Sequence, residues 1–294
     1  RVVDGVTHNR QQRRDRRQIE ADLQQTEKPD HDTAEKNESK KQLVLLSGYS
    51  GVGKSRLAKT LQDAGKQNSS DRLYAEGKFE FSLQNSEPYS AIASACGSIC
   101  ARILSLREDE DEYLLQRIQS KMKESLGSEL PVLLRVFPIL EEVLQSVENH
   151  VPENEQQSPL DAKYRLNYAF CRFFRVVRSF FKLVLVLDDL QWADTPSLDL
   201  VEAVLLDRDT SSSSSCDHGL LIVGVYRSNE IHETHVLSRC LREFRHRSNQ
   251  DGSFGIQEIV VENLGFPSVC QFIQELLSTT ESESRSLAQL AHTR

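Results

Sequence analysis

The chain is 294 residues long with a formal net charge of −8, and 38% of its residues are hydrophobic. That is enough for one large domain or two modest ones with real cores, while the acidic balance gives no electrostatic case for nucleic acid or an anionic membrane as the main partner. No apolar run approaches the roughly 20 residues of a membrane-spanning helix, and the Arg- and Gln-rich start lacks the apolar centre of a signal peptide.

Residues 1–40 show almost no apolar periodicity. Arg10, Arg13, Arg14, Arg16 and Arg17 form a basic cluster, and Glu27–Lys41 alternates acids, bases and small polar side chains. The stretch reads as a polar, flexible N-terminal arm or a solvated helix, with a phosphate contact for the arginines as the alternative. Gln42–Ser47 is a short continuous apolar run, the pattern of a strand buried on both faces. Lys54–Ala64 is helical in pattern, with Leu57, Ala58 and Leu61 on one face, and Leu73–Phe81 reads as a second strand. After Pro88, Ile92, Cys96, Ile99 and Ile103 repeat at helical spacing. Tyr113–Leu126 is an amphipathic helix closed by Gly127, Leu140–Val147 continues in helical style, and Val151–Pro159 is a polar loop.

Ala162–Phe181 gives a strong helix, and Leu183–Leu187, the most apolar run of the chain, reads as a central strand. Leu198–Leu206 is helical, Ser211–Ser215 is a low-complexity loop, Leu220–Tyr226 is a buried strand and Ile256–Val261 a final one. Past Gly265 the pattern is helical again, through Val269, Phe272, Ile273 and Leu276, then Leu287 and Leu290. Strands alternating with helices predict an α/β, doubly wound, mostly parallel sheet flanked by helices. The expected core spans residues 41–262, followed by the start of a small helical lid over 263–294.

Six cysteines, at 96, 100, 171, 216, 240 and 270, form no CxxC pair and have no His at metal-ligand spacing. They read as small hydrophobes of a reduced, intracellular, cytoplasmic protein, with a disulfide or thiol site at Cys96 and Cys100, four apart on one helix face, as the alternative. Because the chain opens on Arg1 and its last segment stops in mid-pattern, it is expected to be a piece of a longer protein.

Three features carry chemistry. Gly48-Tyr49-Ser50-Gly51-Val52-Gly53-Lys54-Ser55 matches G-x-x-x-x-G-K-[ST], in which backbone N–H groups curl around phosphate oxygens at a helix start. Together with Arg56 these residues form the expected nucleotide-binding stretch, with Lys54 on the β- and γ-phosphates and Ser55 on Mg2+. The run Leu183–Leu187 leads into Asp188-Asp189, and carboxylates at the end of an apolar strand need a cation or donor beside them. Asp188 is then the second magnesium position, and Asp189 is placed to orient or deprotonate water. A helix N-cap would explain the pair by itself. Arg227 follows Leu220–Tyr226, from a strand expected to neighbour the P-loop strand, and is placed to sense a γ-phosphate; pairing with Glu230 is the plainer alternative.

With Leu185–Asp194 and Gly224–Glu230, the P-loop resembles the AAA-type ATPase module of STAND signalling NTPases, which is similar to the origin-recognition ATPases. Gly77-Lys-Phe-Glu80 with Pro88-Tyr-Ser90 resembles the segment after that family's second strand. The resemblance covers about Leu43 to Arg294. It implies a P-loop NTPase fold and an ATP-dependent switch in a larger signalling protein, with Lys54, Asp189 and Arg227 carrying hydrolysis. Partners would be ATP or ADP, other domains of the longer chain and signalling proteins, with room for a nucleotide-dependent oligomer. Trp192 and Asp194 match the pattern as structural residues that turn the chain and cap the helix near Pro196-Ser197. Residues 1–40 hold no clean copy of the family's Gly-Arg-Glu segment, which leaves the adenine side undefined, and the chain ends at Thr293-Arg294 before the family's lid element.

Three functions stand against one another: a slow ATPase switch, a non-hydrolysing nucleotide-binding scaffold, and a small-molecule kinase. The kinase would need an Arg-rich lid, and none follows. A GTPase would need an Asn-Lys-x-Asp element, which the chain lacks. Arg242, Arg245 and Arg247 read as a solvated helix face.

Overall fold

The structure is a computed structural model that describes residues 41–60, 71–84, 86–107, 111–145, 159–207, 217–278 and 280–292. The expected arm over 1–40, the serine run Ser211–Ser215 and the loop over 151–158 lie outside the described residues, as do 61–64 and 146–147 of two expected helices.

Five strands form one sheet: β1 (Lys41–Gly48), β2 (Arg72–Lys78), β3 (Lys182–Asp188), β4 (Leu220–Arg227) and β5 (Gly255–Val260), in the spatial order β2-β3-β4-β1-β5. Every pairing is parallel. The side chains separate interior strands from edge strands. Strands β1, β3 and β4 are apolar on both faces and lie inside the sheet, whereas β2 alternates buried and exposed residues and β5 is largely exposed, and these two take the edges. The most apolar run, β3, is therefore an interior strand, and β4 is the middle one.

Helix α1 is described over residues 54–60. Next come α2 (Ser90–Ser105), α3 (Glu112–Leu126), α4 (Leu130–Val136), α5 (Ile139–Leu144) and α6 (Pro159–Arg178). The last four are α7 (Thr195–Leu206), α8 (Val236–Asp251), α9 (Phe266–Leu277) and α10 (Glu281–His292). Pro159, expected in a loop, instead opens α6, where a first turn needs no N–H from it. Periodicity gave no element over 130–136, because seven residues are too short for a helical repeat to show.

Strand side chains alternate between the two faces of the sheet. Leu43, Leu45, Leu73, Leu183, Leu185, Leu220 and Ile222 point to one face and join a core with Ile92, Cys96, Ile99 and Ile103 of α2 and Phe170, Phe173 and Phe174 of α6. The periodic positions of α2 are thus buried as their spacing predicts, and Cys96, Cys100 and Cys171 are free thiols inside it. Burial pushes the Cys100 and Cys171 thiols up to about 12.

Ion pairs tie the layers together. Arg178, at the end of α6 and only 2% exposed, grips Asp217 with two hydrogen bonds just before β4. The Lys41 ammonium, buried at the start of β1, donates to the Val204 and Leu205 carbonyls at 3.0 and 3.3 Å, neutralising the negative end of α7. Arg245 of α8 pairs with Glu258 of β5 at 2.6 and 2.9 Å, and Arg247 reaches Glu202 and Glu243, so two arginines read as a solvated face bind neighbouring elements.

Candidate functional site

The site lies at the carboxyl ends of β1, β3 and β4, where an open parallel sheet presents its loops to ligands. Register aligns these ends. Gly48 of β1 stands opposite Arg227 of β4, and β3 ends in Asp188 one strand further away. Arg227 therefore does sit at the end of the strand that neighbours the P-loop strand, the position the sequence predicts.

The loop 48–53 curls through Gly51 at φ 84° and Gly53 at φ 96°, backbone angles that a side chain rarely adopts. Nothing lies within 4 Å of where a Cβ on either glycine would sit, so these positions are glycine for their backbone angles and not for space. Tyr49, Ser50, Gly51 and Gly53 are exposed and Val52 half-buried. Lys54 is buried and folds back over the loop, donating to the Gly48 carbonyl at 3.0 Å and the Tyr49 carbonyl at 2.7 Å. Its pKa is lowered, first by burial and then by the Arg227 charge, against the upward pull of Asp188, Asp189 and Glu230. Ser55 and Arg56 begin α1 and are exposed.

Both carboxylates at the end of β3, Asp188 within the strand and Asp189 just past it, are buried. Asp188 accepts the Asp189 N–H at Oδ1, 2.9 Å, and its carbonyl accepts the Phe79 N–H at 3.0 Å. Asp189 takes a left-handed conformation, φ 57° and ψ 44°, which aspartate tolerates better than most side chains. That residue turns the chain off the strand into a 3-10 turn over Leu190–Trp192. The turn can lie against β4 because residue 224 is glycine: a Cβ there would come within 2.4 Å of Leu190 Cδ1.

Arg227 is the hub of the charged groups. Its Nη1 donates to Glu230 at 2.7 Å, its Nε lies 3.4 Å from Asp189 Oδ1, and its guanidinium sits 4.8 Å from the centre of the Trp192 ring. The Glu230 hydrogen bond is the main cause that raises its pKa. The plainer alternative for Arg227, a pair with Glu230, is thus present together with the contact to Asp189. Trp192 meets Phe81 edge-on at 6.4 Å. Asp194 caps α7 as expected, accepting the Ser197 N–H and hydroxyl at 2.7 Å each.

Two neighbours were not singled out from the sequence. Gln191, 2% exposed, donates through Nε2 to Asp189 Oδ1 at 2.8 Å and accepts the Arg227 N–H at 3.1 Å. Lys78, at the end of β2, lies 3.7 Å from Asp189 Oδ2. Both fall within stretches quoted for their family pattern. The available signal was a polar side chain inside an otherwise apolar turn and a lysine at the end of a strand.

The donor set fits a phosphate chain with a hard divalent cation. Exposed backbone at the loop and a buried lysine are the groups that phosphate oxygens need, and the space beside Gly51 and Gly53 is open. No group of three or more His, Cys, Asp or Glu side chains able to hold a metal occurs among the described residues. Magnesium needs none, since it binds through one or two protein oxygens together with phosphates and waters. No helix among the described residues is long and apolar enough to cross a membrane.

Comparison with known proteins places the chain in a family. The family model of the AAA ATPase domain matches residues 31–222, more than half of the chain. Among curated proteins, the hybrid signal transduction histidine kinase G of Dictyostelium discoideum is 32% identical over 166 residues, covering 56% of this chain and 4% of that protein. The peroxide stress-activated histidine kinase mak3 of Schizosaccharomyces pombe is 24% identical over 282 residues, covering 81% of this chain and 11% of the kinase. The chain thus spans a small part of the relatives it matches. Among solved structures, the Walker-type ATPase paby2304 of Pyrococcus abyssi aligns with a TM-score of 0.36 at 14% identity, over 84% of this chain and 58% of that one.

Proposed function

Because this chain belongs to the AAA ATPase domain family, we propose that it is the ATP-binding module of a larger signalling protein and works as a slow, nucleotide-dependent switch of the STAND type. The observation that carries this reading is the meeting of Lys54, Asp188, Asp189 and Arg227 at adjoining strand ends, close enough for their charges to act on one another. Loop 48–53 would hold the phosphates, with Lys54 exchanging its loop carbonyls for β- and γ-phosphate oxygens. Ser55 and Asp188 would hold magnesium, which when bound screens phosphate charge. Asp189 would orient water, and Arg227 would report whether a γ-phosphate is present. Helices α9 and α10 would form part of a lid whose packing responds to the nucleotide.

The signalling context rests on the two histidine kinases matched above. A second reading, a nucleotide-binding scaffold without hydrolysis, is favoured by one observation: Asp189 already holds Gln191 and Arg227 on one oxygen and Lys78 near the other. Titration calorimetry tests the common core of both readings. The protein should bind Mg-ATP, and Lys54→Ala should weaken binding beyond detection; unchanged affinity in that variant would refute the site.

A further inference from the structure

The nucleotide-site reading leaves one buried amide unexplained. Gln191 stands in the 3-10 turn after β3, and its side chain is almost wholly out of solvent. A buried amide costs stability unless its donor and acceptor are both used. Here they are used across two strands, Nε2 on the Asp189 carboxylate and Oε1 on the backbone N–H of Arg227. The amide can point only one way, because a flip would set its oxygen against the carboxylate and its NH2 against an N–H. The turn is also held sterically, by Leu190 over Gly224. The turn carrying Asp189 is thus fixed to β4 at two points, residues 224 and 227.

We infer that Gln191 is a positioning residue: it fixes Asp189 Oδ1 to the protein, directs Oδ2 to the water side, and links the carboxylate to the backbone that carries Arg227. The inference rests on the hydrolytic reading of the site. With Oδ1 tied, the carboxylate cannot rotate freely about its χ2 bond, so Oδ2, with the exposed Lys78 ammonium 3.7 Å away, keeps a single direction toward an attacking water. Because the second half of the amide holds the Arg227 N–H, a shift of the end of β4 toward or away from a γ-phosphate carries the carboxylate with it. Phosphate sensing and water positioning then share one rigid strut and need no separate signal.

The test compares Mg-ATP affinity and single-turnover hydrolysis for the wild type, Gln191→Met, Gln191→Glu and Asp189→Asn, from about pH 6 to about pH 9. Gln191→Met fills the same space without the two hydrogen bonds. It should bind Mg-ATP within about threefold of wild type while hydrolysis slows by about 10–100-fold. Gln191→Glu still accepts the Arg227 N–H but sets a second carboxylate against Asp189. That carboxyl has its pKa raised by burial and by its neighbour, and in its neutral form it can donate as the amide does. Its rate relative to wild type should therefore be low at high pH and recover on acidification, which a purely structural role would not produce. Wild-type hydrolysis in Gln191→Met, or a slowed Gln191→Glu with no recovery at low pH, would overturn the role of Gln191 alone if Asp189→Asn is inactive. A wild type that binds Mg-ATP without turnover, or full activity in Asp189→Asn, would overturn the hydrolytic reading and this inference with it.

Discussion

On one face of the sheet, leucines of β1, β2, β3 and β4 run into α2–α8 and a chain of touching rings, Tyr89, Phe137, Phe170, Phe173 and Phe174. On the other face, Val44, Leu46, Val184, Val186, Val223 and Val225 form a smaller cluster, which Ala58 of α1 joins. The same strands supply both faces through a two-residue repeat, with long side chains on the deep side and mainly valines on the shallow one. The deep face holds Leu187 and Tyr226, the neighbours of Asp188 and Arg227 in β3 and β4. The shallow face carries α1 and with it the lysine of the P-loop. Position and grip are thus given to different parts of the molecule.

The sharpest way to break that division is to remove a ring from the deep face. Phe173 is fully buried and meets Phe137 at 5.2 Å and Phe174 at 5.6 Å, both edge-on. Phe173→Ala should lower the free energy of unfolding by about 3–5 kcal/mol, read from urea denaturation. Mg-ATP affinity of the protein that remains folded should stay at the wild-type value. A matching loss of affinity would show that the deep face shapes the loop directly and would end the comparison.

Val223 probes the shallow face. It is fully buried in β4, opposite Val44 of the P-loop strand and Val186 of the Asp188 strand. Val223→Ala deletes two methyl groups and should cost about 1–2 kcal/mol in the same assay. A cost equal to that of Phe173→Ala would mean that the shallow face is packed as deeply as the other.

The difference between the faces also explains what the sequence made legible. Period-two and continuous apolar runs report on burial along one strand, and so β1, β3 and β4 were found to within a residue or two of their ends. The motif residues Gly48–Ser55, Asp188, Asp189 and Arg227 were visible because their chemistry is local and their strands could be placed. Contacts between residues distant in the chain leave no such trace. The bond from Gln191 to the Arg227 N–H spans 36 positions, and nothing in the periodicity of either segment encodes it. The same holds for Lys78 beside Asp189 and for Arg245 with Glu258, which depend on the order of the strands. That order was not derivable from apolar pattern alone.

The smallest expected effect concerns a third region that belongs to neither face. Helices α9 and α10 pack on each other, yet Phe272, Leu276 and Leu290 remain 56%, 66% and 69% exposed. An apolar side chain that is already in water contributes little when removed, so Phe272→Ser should change stability by no more than about 0.5 kcal/mol. The serine costs α9 little helix propensity in return, since it differs from phenylalanine only slightly on that scale. The thermal midpoint of the variant should therefore match wild type without nucleotide. A drop of several degrees would mean that the ring is covered by the sheet domain in solution, and the helix pair would then have to be counted with the deep face, because its apolar side chains would be adding to the burial that positions the strand ends.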